Sequence, residues 1–246
     1  MPAIDPVIQA RIDLAAALRW ASRHALSEGV CNHFSMAVPG TDDRFLINPQ
    51  GLHWSEITPS DLVMTDPSGR IIEGKHPVEP TAFYIHGRIH LGNPRARVVL
   101  HTHMPYATAL TTLRQGKLEM CTQNAFRYWN RIAYDETYNG LVLDNDEGDR
   151  ICRQMGDLPV MLLRNHGIIV AGESVAQAYD DLYYLERAAM VQVLAMQTGR
   201  ELEIIPTQIV ERTVRQMAGE SQQATLHFEA LKRLLDRDEP GWRRLH

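Results

Sequence analysis

Two histidines, His101 and His103, close the apolar run Val98-Val99-Leu100-His101-Thr102-His103. Side chains alternate across a strand, so histidines two apart face the same way, and two imidazoles converging at a strand end make half of a metal site. The competing reading is a pair of polar residues satisfied where a strand ends. His166 also follows an apolar run, Val160-Met161-Leu162-Leu163, and Gly167 behind it allows a sharp turn or a close backbone approach. Three histidines carried on two strand ends can meet and leave a coordination position for water or substrate. Glu79 precedes Pro80 at the start of a predicted helix, where the macrodipole stabilises a carboxylate. It is read either as a cap acid or as a fourth metal ligand able to leave the ion and act as general base.

The elements that must hold these groups follow from periodicity. Asp5-Pro6 opens a helix whose apolar positions recur until Gly29. Two hairpins are predicted, one joining Phe34–Val38 to Phe45–Asn48 through residues 39–43, the other joining Leu62–Met64 to Arg70–Ile72 through Asp66-Pro67-Ser68-Gly69. A helix runs from Glu79-Pro80 towards Leu91, and a strand over Arg97–Thr102 follows. Strands at Val160–Arg164 and Ile168–Val170 precede a long helix from Ser174 to Gly199, with Gln177 completing a capping box, and a helical segment spans 206–246. Within this frame His86 and His90 are helix-face or interface residues, since Gly87 and Arg88 occupy the interior where an HExxH site needs its glutamate. His33, His53 and His76 read as hydrogen-bonding scaffold.

Bulk properties narrow the class. The chain has 246 residues, 44% of them hydrophobic, and its 25 basic groups, scattered against 30 acidic ones, give a net charge of -5 and no footprint for nucleic acid. Cys31, Cys121 and Cys152 are odd in number and far apart, which fits a reducing compartment. With no signal-like leader and no apolar run of spanning length, a cytoplasmic, membrane-free protein of one domain over 1–246 is expected. GxSxG, GxxxxGK and GxGxxG turns are absent, which removes support for a serine hydrolase, a P-loop NTPase and a Rossmann dehydrogenase.

Five segments in order, Asn32-His33-Phe34-Ser35, Asn48-Pro49-Gln50-Gly51, Glu79, His101-Thr102-His103 and Asn165-His166-Gly167, resemble the class II aldolase/adducin family over about residues 10–200. The resemblance implies an α/β fold of three layers, α/β/α, with a central, largely antiparallel sheet like that of fuculose-phosphate aldolase. It implies a homotetramer with sites at subunit interfaces, and one divalent metal per chain, zinc ahead of manganese. It makes His101, His103, His166 and Glu79 the metal set and Glu79 the proton carrier, and the completeness of that set favours an enzyme over an adducin-like scaffold.

Where the resembling sugar-phosphate aldolases carry phosphate-binding hydroxyls, this chain has Gln50, Pro77 and Val78. Proline offers no N–H and valine no hydroxyl, so an unphosphorylated small-molecule substrate is expected. The pattern is similar to the branch of metal-dependent decarboxylases of hydroxylated aromatic or pyridine dicarboxylates. The expectation is therefore a lyase breaking a carbon–carbon bond, decarboxylation ahead of retro-aldol cleavage, with a sugar-type aldolase, an epimerase or a scaffold as alternatives. Asn32, Ser35, Asn48, Gln50, Gly51, Arg127 and Tyr134 are the substrate-contact candidates, with Tyr128 and Arg131 in the same stretch. An arginine there could clamp a second carboxylate, and surface or interface packing is the competing role for this stretch.

Overall fold

The computed structural model describes residues 4–41, 43–219 and 222–245, which leaves Asp42 of the first predicted turn outside the described part. The elements run α1 Pro6–Arg23, β1 His33–Ala37, β2 Phe45–Ile47, β3 Val63–Thr65, β4 Ile71–Glu73, α2 Pro80–Ala82, a π-helical turn Phe83–Gly87, α3 Arg88–Gly92, β5 Val98–Thr102 and α4 Pro105–Thr111. There follow α5 Gln123–Phe126, β6 Ile132–Asp135, α6 Asn145–Met155, β7 Val160–Leu163, β8 Gly167–Gly172, α7 Val175–Met196, α8 Thr207–Met217 and α9 Gln223–Asp238. The eight strands form one sheet in the order β4-β3-β2-β1-β5-β8-β7-β6, antiparallel throughout except where β6 joins β7 in parallel through α6.

The alternation of β5 shows why helices cover both faces. Val98 and Leu100 enter the larger core with α1, α4, α7 and α9, while Val99 enters a smaller one with Ile85, Ile89, Ile151 and Met155. Both faces are apolar because both are buried, which gives the three-layer α/β/α architecture expected from the resemblance. No helix among the described residues is long and apolar enough to cross a membrane.

Local chemistry accounts for most boundaries. Asp5 accepts from the N–H groups of Val7 and Ile8, Ser174 accepts from Gln177, and Asp66 ties the second hairpin turn by accepting from Ser68 and Arg70. The first helix stops a turn earlier than its periodicity suggests. Ala25 takes a left-handed conformation (φ 56), Ala25 N–H donates to Ser22 and Leu26 N–H to Ala21, and Leu26 is buried. This is a Schellman ending, in which the apolar residue beyond the cap folds back onto the last turn. The segment from Ala25 to Gly29 is thereby released from the helix.

One buried polar cluster interrupts the smaller core. Ser35 on β1 lies between His86 of the π-helical turn and His90 of α3, with its Oγ 2.6 Å from His86 Nδ1 and 2.7 Å from His90 Nε2. Burial pushes His90 down from 6.5 to about 4 and His86 well below its usual range, so both rings are neutral at neutral pH. The unfolded chain binds protons below pH 6.5 that the folded chain refuses until about pH 4, so stability is complete above 6.5 and is lost as pH falls towards 4. His90 alone contributes roughly 3 kcal/mol to that loss. Urea midpoints of metal-free protein should drop clearly between pH 7.5 and pH 5, and equal midpoints would contradict burial of these rings in their neutral form.

Candidate metal centre

His101 is the fourth residue of β5, on the face of Val99, and β1 pairs with it so that His33 stands directly opposite. Its Nδ1–H donates to the Ile168 carbonyl (3.0 Å), and burial holds its pKa well below the usual histidine range. The Nε2 lone pair is therefore available. His103 lies just past the strand. Its backbone N–H donates to Asn32 Oδ1 (3.3 Å) and its Nδ1–H donates to Glu28 Oε2 (2.5 Å). That leaves His103 Nε2 buried and without a partner among the described residues.

His166 comes from the tight connection between β7 and β8. Asn165 adopts a left-handed conformation (φ 54), which turns the chain, and burial lowers the His166 pKa to about 4. The three rings sit at the corners of a near-equilateral triangle, with centroid separations of 5.1, 4.9 and 4.9 Å, and one ligand atom from each lies within 4.8 Å of the others. Gly167 serves close approach rather than the turn. A Cβ there would stand 2.6 Å from both His103 Cδ2 and the Thr102 carbonyl, and 3.3 Å from His101 Cε1.

The donor set fits a divalent cation. Buried imidazoles at His101 and His166 are kept neutral, and the orphaned Nε2 of His103 is a lone pair removed from water with nothing to receive. Glu79 stands outside this triangle. As the N-cap of α2 it makes no side-chain cap bond. Its carboxylate instead accepts from His33 Nε2 (3.1 Å) and Thr81 Oγ1 (2.9 Å). The bond to His33 is the largest cause of a pKa lowered to about 2, so Glu79 is ionised at neutral pH, within the field of His103.

The substrate-contact candidates divide. Asn32 (φ 74) and Asn48 are buried and shape the loop. Asn48 accepts from Phe34 N–H and donates to the Asn32 carbonyl, while Asn32 holds His103. Ser35 is corrected to a position behind the centre, its hydroxyl saturated by His86 and His90, because alternation along β1 turns it under the helices. Gln50 and Gly51 (φ 87) are exposed, and Gln50 N–H donates to the Pro77 carbonyl (2.8 Å), tying this loop to the segment that leads into Glu79.

Arg127 is no free clamp within the chain. It pairs with Asp180 (3.2 Å) and lies 4.0 Å over the Tyr184 ring, while Arg131 pairs with Asp181 and Tyr128 is buried. Tyr134, on the edge strand β6, accepts from Leu118 N–H at the far end of the sheet from β1. Three functional groups escaped the sequence reading: Glu28, His33 as the partner of Glu79, and Thr81. His33 was detectable in principle, since pairing its strand with that of His101 puts both on one face. Glu28 carries no local signal.

These features match known proteins. Residues 12–193 match the model for the class II aldolase and adducin N-terminal domain. An aldolase II superfamily protein from Pseudomonas syringae superposes with a TM-score of 0.91 at 33% identity, covering 99% of this chain and 98% of that one. The decarboxylase NovR of Streptomyces niveus is 33% identical over 89% of this chain and 83% of its own length. An adducin-related protein of Schizosaccharomyces pombe is 32% identical over 85% of this chain and 67% of its own length. With the family's domain spanning the sheet, the histidine triangle and most of the covering helices, the chain belongs to the class II aldolase/adducin family.

Proposed function

We propose that this protein is a divalent-metal-dependent lyase that breaks a carbon–carbon bond in a small unphosphorylated carbonyl or hydroxy-acid substrate, decarboxylation ahead of retro-aldol cleavage. The observation that carries the reading is the buried, unpartnered Nε2 of His103 facing two neutral imidazoles, with ionised Glu79 nearby. His101, His103 and His166 would hold the ion, and their three imidazoles put zinc ahead of manganese. A cation there supplies positive charge against the electron pair left when the bond breaks. Glu79, being ionised, accepts the substrate's hydroxyl proton and returns it to the carbon that has lost its partner. His33 and Thr81 hold that carboxylate in place.

The unphosphorylated substrate is supported by the loop preceding Glu79. Val78 is buried and apolar, Pro77 has no N–H, and the Gln50 N–H is spent on the Pro77 carbonyl. A resemblance to the decarboxylase NovR at 33% identity sets decarboxylation ahead. A homotetramer and a cytoplasmic location belong to the same proposal. The second is in keeping with three cysteines that stand as free thiols.

Elemental analysis of purified protein should find about one divalent ion per chain, lost in His101→Ala. A full-length protein that takes up no ion would instead favour an adducin-like scaffold. Glu28→Ala removes only the partner of His103 Nδ1, and isothermal titration with zinc should show affinity reduced roughly 10- to 100-fold with the fold intact. Glu79→Gln should retain the ion and lose turnover by about 10²- to 10⁴-fold, measured as carbon dioxide or carbonyl release from a panel of hydroxy acids. Full activity in that variant would remove Glu79 from the chemistry.

A further inference from the structure

Behind Glu79 runs an unbroken line of buried polar groups that the reaction does not use directly. Glu79 Oε2 lies 3.1 Å from His33 Nε2, and His33 Nδ1 lies 3.3 Å from His86 Nε2. His86 Nδ1 is 2.6 Å from Ser35 Oγ, Ser35 Oγ is 2.7 Å from His90 Nε2, and His90 Nδ1 is 2.6 Å from the Ala96 carbonyl oxygen. Both ends of the line have a fixed role, since a backbone carbonyl and an ionised carboxylate can only accept.

The carbonyl end orients the groups behind His33. His90 must carry its proton on Nδ1 to meet Ala96, so its Nε2 is an acceptor. The Ser35 hydroxyl therefore donates to His90 and can receive only from His86 Nδ1–H. His86, neutral because it is wholly buried, then presents a bare Nε2, and His33 must donate to it from Nδ1. The line thus reads in one direction, from His33 to the carbonyl, while on its other side His33 Nε2–H donates to Glu79, beside Thr81. Packing supports the arrangement at both ends: Phe45 stacks on His90 at 4.7 Å and 12°, and His101 stacks on His33 at 5.4 Å and 25°. The π-helical turn that carries His86 is an uncommon feature that recurs at functional sites.

We propose that Ser35, His86 and His90 are positioning residues for Glu79, acting as a one-way hydrogen-bond chain that accepts from His33 Nδ1–H and so fixes the orientation of the ring whose Nε2–H meets Glu79. The proposal rests on Glu79 as the proton carrier, but its core, the direction of the chain, is independent of turnover.

Long-range 1H–15N spectra of histidine-labelled full-length protein, with zinc as the sole divalent ion, read the tautomers directly. At neutral pH, His86 and His90 should each show a protonated, pyrrole-type Nδ1 and a bare, pyridine-type Nε2. A protonated Nε2 on either ring of the wild-type protein would overturn the proposal. In Ser35→Ala, His86 should lose its single tautomer and the His33 signals should shift with it, and Ser35→Thr should restore both. Unchanged His33 signals in Ser35→Ala would show that the cluster only fills space. Because no activity is read, an inactive or fully active Glu79→Gln judges the role of Glu79 separately.

Discussion

The pairing of β1 with β5 is the constraint on which the site depends. Its register sets His33 opposite His101 and Ser35 opposite Val99, all on the face covered by the π-helical turn and α3. A slip of one residue would exchange faces, sending His101 and His33 into the larger core and Phe34 out of it. Register is held by what each face demands. Phe34, Val98 and Leu100 are fully buried on one side, and the Ser35 hydroxyl has partners only on the other.

Burial of so many polar groups is tolerable only because nearly all are satisfied. An unpaired buried polar atom costs about 1–3 kcal/mol, so the chain from His33 to Ala96 and the bond from His101 to Ile168 offset what dehydration takes away. The same dehydration keeps His86, His90 and His101 neutral, and a neutral imidazole is what a cation requires. Stability and ligand readiness therefore come from one cause. Among the described residues three buried side-chain atoms lack a partner, at Trp54, His103 and Thr108, and the one on His103 stands where three rings converge, which argues for a missing partner rather than for a defect.

How much of this was legible follows from the range of the forces involved. Caps, turns and alternating strands are set within a few residues, so the two hairpins, the apolar strands and the convergence of three histidines could be read from the sequence. Contacts made across the fold could not. Ser35 read as a substrate contact until strand pairing turned it beneath the helices, and Arg127 read as a possible carboxylate clamp until α7 brought Asp180 alongside. Glu28 lies in the segment after α1 that the Schellman turn at Ala25 releases, and only the folded chain puts it beside His103.

The strength of the hold on Glu79 has a chemical consequence. A carboxyl lowered to about 2 is a weak base, so in the proposed reaction it would take a proton only from a hydroxyl already made acidic, and once protonated would give that proton up readily. The bond to His33 is the main source of this depression. Any substrate group that separates Glu79 from His33 therefore raises the carboxyl towards its ordinary 4.5 and strengthens it as a base. A rigid His33 is what makes that contact reproducible, because a ring free to turn would follow the carboxylate and leave its basicity unchanged.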